Sequence, residues 1–182
     1  MTPAARRTLV LETDYSIEEV EALADVTHKC GDIAACISSG SFRASGMIVA
    51  PCSIKTASGI ATSYSDNLLL RAADVILKER RRLILLVRET PMHLGHLRLL
   101  VQLGEMGAII MPPTPAFYHR PSTVGDIIDQ TVNRALDMLD VELRHDLFAR
   151  WQGPTARPGD GASRKIRDAA QELLNEAGIP SA

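Results

Sequence analysis

The sequence predicts an α/β fold built on a parallel sheet, and three observations carry that prediction. Residues 46–51, 83–87 and 108–111 are short, continuously apolar runs of strand length, the pattern of strands buried on both faces. Stretches with helical spacing lie between and after them. Each run ends abruptly, at Pro51, at Arg88-Glu89 and at Pro112-Pro113. Strands that alternate with helices pair in parallel, because a parallel neighbour is reached only through a crossover.

The elements follow in order. Ser16-Ile17-Glu18-Glu19 has the form of a capping box and opens a short helix carried by Val20, Leu23 and Ala24. The run 46–51 is the first strand and leads directly into Cys52-Ser53-Ile54-Lys55-Thr56. Residues 56–80 are mostly helix formers with Leu69, Ala72, Ala73, Ile76 and Leu77 at helical spacing, either one long helix or two broken near Tyr64-Ser65-Asp66. A second strand over 83–87, a helix over 92–106 and a third strand over 108–111 come next. Ser122 or Thr123 caps the last core helix, whose apolar positions are Ile127, Ile128, Val132, Ala135, Leu136 and Leu139.

Composition narrows the function. With 46% apolar and 23% charged residues over 182 positions, the chain is a folding, single-domain sequence. Residues 1–153 are expected to form that domain; 154–182 read as a Gly/Pro-rich linker and a peripheral amphipathic helix with Ile166, Ala169, Ala170, Leu173 and Leu174. A net charge of −2 with interleaved signs argues against a nucleic-acid surface or a basic membrane patch. No apolar run approaches the ~20 residues of a membrane span, and the first residues lack the apolar stretch of a secretory signal. Cys30, Cys36 and Cys52 are odd in number and fit no disulfide or zinc framework, so a reducing cytoplasm and small-molecule partners are expected.

In an open parallel sheet, ligands bind beyond the carboxyl ends of the strands. After the first run, Ser53, Ile54, Lys55 and Thr56 offer hydroxyls and backbone N–H groups at a helix start, suited to a phosphate; Ser53 as a plain helix cap is the alternative. After the second, Arg88 and Glu89 place a cation and an acid where a buried strand emerges, for acid/base or phosphate chemistry or as a simple ion pair. After the third, residues 112–121 set Phe117, Tyr118, His119 and Arg120 among prolines, a rigid ligand wall or an oligomer contact. His93 and His96 lack further ligands for a metal site, Cys52 lacks a histidine partner for nucleophilic chemistry, and Arg80, Arg81 and Arg82 read as a solvated helix end.

Six segments in order, Ser38-Ser39-Gly40-Ser41-Phe42, Pro51-Cys52-Ser53-Ile54-Lys55-Thr56, Arg71-Ala72-Ala73-Asp74-Val75, Leu77-Lys78-Glu79-Arg80-Arg81, Arg88-Glu89-Thr90-Pro91 and Phe117-Tyr118-His119-Arg120-Pro121, resemble the flavin prenyltransferases of the UbiX family. The resemblance runs from the first residues to Gly153. It implies a flavodoxin-like or Rossmann-like three-layer fold, FMN bound between subunits of a homo-oligomer, a dodecamer built from trimers, and no metal. It implies a transferase that joins a dimethylallyl group from dimethylallyl monophosphate to reduced FMN at N5 and C6, releasing phosphate. The prenylated FMN would serve a partner decarboxylase.

By that resemblance Thr2, Ser53, Ile54, Lys55, Thr56 and Arg88 would contact FMN, Tyr118 and Arg134 would hold the donor phosphate with help from Lys78, and Glu89 would move the proton. Fixed cations and hydroxyl donors suit a dianionic leaving group in a water-poor site. Two other readings share parts of the pattern: an FMN-dependent cysteine-decarboxylase-like flavoprotein, and a non-catalytic accessory subunit of a hydroxyarene decarboxylase. The family opens with a strand, a Gly-Ala-Ser-Gly loop, a helix and a second strand, none of which precedes Thr2. The chain is therefore expected to be an N-terminally truncated version, lacking the first strand-helix-strand unit and part of the flavin cradle.

Overall fold

β2, Arg82–Val87, is the middle strand of a three-stranded parallel sheet of order β1-β2-β3, with β1 at Gly46–Cys52 and β3 at Ile109–Ile110. The computed structural model describes residues 1–151 of the chain. The linker and amphipathic helix expected over 154–182 lie outside the described residues.

Alternation explains why β2 is apolar throughout. Leu83, Leu85 and Val87 point into a cluster with Ala57 and Ile60 of α3 (Ile54–Ala61), Leu70, Ala73 and Ile76 of α4 (Leu68–Lys78), and Leu103 of α5 (Leu94–Glu105). Ile84 and Leu86 point the other way, toward Ala135 of α6 (Val124–Asp137) and the partly buried Met138 and Leu139. Helices thus cover both faces, giving three layers. Leu83, Ile84 and Leu85 are fully buried, each contributing about 1.5–3 kcal/mol of transfer free energy.

The first strand departs from the expectation of burial on both faces. Val49 and Cys52 are buried, but Met47 and Ile48 are half-buried and Ala50 and Pro51 are exposed. Among the described residues β1 pairs only with β2, and its register shifts between Val49 and Cys52. It is an edge strand here, so its apolar run is only partly covered. β3 is likewise shorter than the run that announces it, with both residues half-buried.

Between 54 and 78 there are two helices, broken over 62–67 near the predicted place; Asn67 caps the second by accepting from the N–H of Leu70 at 3.1 Å. The Ser16 capping box forms as expected: Ser16 Oγ accepts from the N–H of Glu19 at 3.1 Å and Glu19 accepts from the N–H of Ser16 at 2.7 Å, opening α2 (Ile17–Glu21). An unanticipated helix, α1, spans Pro3–Glu12. Its signal was present: Thr2 Oγ1 accepts from the N–H of Ala5 at 3.1 Å and Pro3 occupies the first turn. On α6, Thr123 is the cap, but Ile128 and Val132 are 55% and 41% exposed, while Gln130 and Asn133 are buried. The helix turns a mixed face of Gln130, Asn133 and Ala135 inward, contrary to its apolar count.

Candidate functional site

The carboxyl ends of β1 and β2 are stitched together. The backbone N–H of Arg88 donates to the carbonyl of Cys52 at 3.1 Å, which sets Ser53 and the Arg88-Glu89 pair on adjacent strand ends. Ser53 caps α3, its Oγ accepting from the N–H of Thr56 at 3.3 Å and donating to Thr56 Oγ1 at 3.2 Å. The first turn, Ile54-Lys55-Thr56, carries no acidic residue, so the positive end of the helix and two hydroxyls face outward without a competing carboxylate. Ser53 and Arg88 are exposed and Glu89 is half-buried. Free backbone N–H groups at a helix start and two hydroxyls are the donor set that suits an anionic group.

Tyr118 and Arg134 are linked through α6: Tyr118 reaches Gln130, one turn before Arg134, and does not itself line the concavity beside Arg134. Gln130 Nε2 lies 3.4 Å from the Tyr118 hydroxyl, and both Gln130 and Arg134 line a concavity of about 310 Å³ beside β3, with Ile110, Met111, Thr114 and Met138. Arg134 donates to Asp137 at 2.8 Å. Ser53, Arg88 and Glu89 do not line this concavity.

Lys78 stands apart from these residues. It ends α4, four positions before β2 begins at Arg82, and therefore sits near the amino edge of the sheet. Six residues of strand, roughly 20 Å at about 3.3 Å each, separate it from Glu89. There it pairs with Glu79, whose carboxyl the Lys78 hydrogen bond and charge hold below the usual range. Gly40 lies directly beneath these side chains: a Cβ there would fall 2.7 Å from Lys78 Nζ, so a larger residue would have to displace the flexible ends of Lys78 and Glu79. Thr2 caps α1, on a different element again.

Several structural roles were not legible in the sequence. Arg81 is not simply solvated: its guanidinium donates to the carbonyls of Phe42 at 2.7 Å and Gly40 at 2.9 Å. Arg82 donates to the Met138 carbonyl at 3.1 Å and pairs with Asp140. Arg71 donates to the Ser38 carbonyl at 3.1 Å and pairs with Asp74. These arginines pin the Ser38-Ser39-Gly40-Ser41-Phe42 turn and the end of α6 to the amino edge. The sequence marked Arg81 and Arg82 only as part of a cationic helix end, and Arg71 and Arg81 as members of family-like segments, without showing which carbonyls they hold.

Cys52 is fully buried, and desolvation pushes its thiol up to about 11 against a smaller opposing hydrogen bond from the Ala57 N–H. It stays a neutral thiol at physiological pH and packs as a small apolar group. His93 caps α5, its Nδ1 accepting from the His96 N–H at 3.4 Å, with the two rings 3.6 Å apart. Among the described residues no three His, Cys, Asp or Glu side chains gather as a metal site, and no helix is long and apolar enough to cross a membrane.

A family model described as Flavoprotein matches residues 5–136. The flavin prenyltransferase UbiX of Escherichia coli K12 is 67% identical over 153 residues, 84% of this chain and 81% of the relative. A crystal structure of AnUbiX (PadA1) in complex with FMN and dimethylallyl pyrophosphate superposes with a TM-score of 0.80 at 49% identity, covering 85% of this chain and 81% of that one. A dodecameric FMN-dependent UbiX-like decarboxylase from Escherichia coli O157:H7 superposes with a TM-score of 0.79 at 50% identity, over the same shares.

Proposed function

The chain belongs to the UbiX flavin prenyltransferase family, and on that premise we propose that it joins a dimethylallyl group from dimethylallyl monophosphate to reduced FMN. The observation that carries the proposal is the relative solved with FMN and dimethylallyl pyrophosphate, nearly half identical over 85% of this chain. Close relatives named as prenyltransferases favour this over a cysteine-decarboxylase-like enzyme or a non-catalytic accessory subunit.

The anion-binding start of α3 fits the flavin phosphate: Ser53, Ile54, Lys55 and Thr56 would hold it, with Arg88 alongside and Thr2 from a separate element. Bound reduced FMN supplies the ring atoms that take the dimethylallyl group. Glu89, half-buried two residues past the end of β2, would exchange a proton with the ring. Tyr118 and Arg134 would bind the donor phosphate as it becomes a leaving group, a hydroxyl and a guanidinium meeting its developing charge.

Lys78 belongs to the same site only if that site is shared between copies. Its place at the amino edge puts it out of reach of Glu89 in its own chain. We therefore read the site as assembled where one copy's amino edge meets another's carboxyl edge, within a homo-oligomer. The dodecamer solved for a relative supports this reading. The product, prenylated FMN, would pass to a decarboxylase that uses it.

The test is direct. The purified chain is mixed with FMN, reductant and dimethylallyl monophosphate under anaerobic conditions, and the flavin is analysed by mass spectrometry and absorbance. A flavin heavier by one dimethylallyl unit, with phosphate released, supports the assignment. Unmodified flavin from protein shown to bind both FMN and donor would overturn it.

A further inference from the structure

Resting on the reading that Tyr118 and Arg134 hold the donor phosphate, the geometry points to Gln130 and Asp137 as the residues that position them. α6 sets Gln130, Asn133, Arg134 and Asp137 at i, i+3, i+4 and i+7, so the four lie along one face. That face is turned inward: Asn133 is 1% and Gln130 8% exposed. A buried amide is costly unless bonded, and each of these has a partner.

The bonds form a relay. Asn133 Oδ1 accepts from the backbone N–H of Leu147 at 2.7 Å, and its Nδ2 donates to Asp137 Oδ1 at 3.2 Å. The other oxygen, Asp137 Oδ2, accepts from Arg134 NH1 at 2.8 Å. Asp137 is thus fixed from a buried amide on one side and fixes a guanidinium on the other. One turn earlier, the Gln130 amide reaches the Tyr118 hydroxyl at 3.4 Å. Tyr118 is half exposed and Arg134 partly so, and both need such restraint to present their donors in one arrangement.

The physical consequence is preorganisation. A free arginine side chain gives up much rotamer freedom when it grips a phosphate, whereas a carboxylate on one nitrogen fixes the plane of the remaining donors beforehand. Asp137 also adds a negative charge near a dianion, which opposes binding. The relay is worth having only if orientation outweighs that repulsion, and this makes the sign of the Asp137 effect decisive.

The experiment measures KM for dimethylallyl monophosphate, kcat, FMN affinity and inhibition by inorganic phosphate in the wild type, Arg134→Ala, Asp137→Asn and the double variant. The donor-site reading expects Arg134→Ala to raise KM about tenfold or more; an unchanged KM there defeats that reading itself. Given that rise, Asp137→Asn is expected to raise KM and the phosphate inhibition constant about five- to twentyfold, with kcat and FMN affinity within about twofold and the double variant no worse than Arg134→Ala. Tighter donor binding in Asp137→Asn, an unchanged KM, or full additivity overturns the inference alone. Should Asp137→Asn fail to fold, Gln130→Met decides: a raised KM that is not additive with Tyr118→Phe supports the positioning role, and an unchanged KM removes it.

Discussion

The hydrogen bond from the Arg88 N–H to the Cys52 carbonyl, 3.1 Å long, joins the last turns of two strands separated by more than thirty residues of chain. It places the cap of α3 beside the charged pair that follows β2. The candidate flavin site is a consequence of that junction, and the expectations below depend on it.

Glu89→Gln keeps the shape of the side chain and removes its ability to carry a proton. FMN is expected to bind as in the wild type, while prenylated FMN forms about 10²–10⁴ times more slowly. Single-turnover formation of the product measures this, and equal rates would take Glu89 out of the chemistry.

Lys78→Ala and Glu89→Gln should each be nearly inactive. If Lys78 acts on a neighbouring copy's site, oligomers assembled from a mixture of the two variants contain some sites with both native side chains. Activity in the mixture should rise clearly above that of either parent. No recovery after verified subunit exchange would place Lys78 outside the site.

Ser53 separates a cap from a ligand contact. Replacing a serine cap by glycine costs only a few tenths of a kcal/mol, against about 1 kcal/mol for alanine. Ser53→Gly is therefore expected to unfold near the wild-type temperature but to bind FMN about tenfold more weakly, a loss of about 1.4 kcal/mol. Unaltered FMN affinity by fluorescence titration would leave Ser53 as a cap only.

Cys52 makes stability depend on alkaline pH. Its thiol is raised by burial from an ordinary 9.0 to about 11. The folded state keeps the proton where the unfolded state loses it, so this contribution is whole below pH 9 and is lost as pH rises toward 11. Denaturant unfolding between those pH values should show a slope roughly 1.4 kcal/mol per pH unit steeper in the wild type than in Cys52→Ala. At neutral pH a thiol reagent should label exposed Cys36 and spare Cys52.

Leu85→Ala empties a fully buried position between α5 and α3, and should destabilise the chain by about 2–5 kcal/mol. Urea unfolding monitored by circular dichroism checks it; a loss under 1 kcal/mol would mean that the sheet face repacks freely.

Much of this architecture is local and was legible. Residues 83–87 announced a buried strand because both faces of β2 are covered and every side chain must be apolar. The Ser16 box and the break before Leu68 rest on contacts within four residues, so nearest neighbours in sequence decide them. The same logic should have revealed α1, whose Thr2 cap and Pro3 stood in plain view. The placement of the Ser53 to Thr56 turn and the Arg88-Glu89 pair on adjacent strand ends was legible because each directly follows an apolar run, and strand ends are where a parallel sheet receives ligands.

What sequence alone determined is which segments become strands and helices and which polar residues follow each strand, since these depend on side-chain period and on bonds spanning a single turn. Tertiary structure decided which polar residues meet. Crossovers brought Cys52 against Arg88, carried Lys78 to the far edge of the sheet, and turned Gln130 and Asn133 of α6 inward while Ile128 and Val132 faced out. Those outcomes turn on the packing of elements distant along the chain, where one satisfied buried amide can outweigh the exposure of an isoleucine, and no short window of sequence contains both partners.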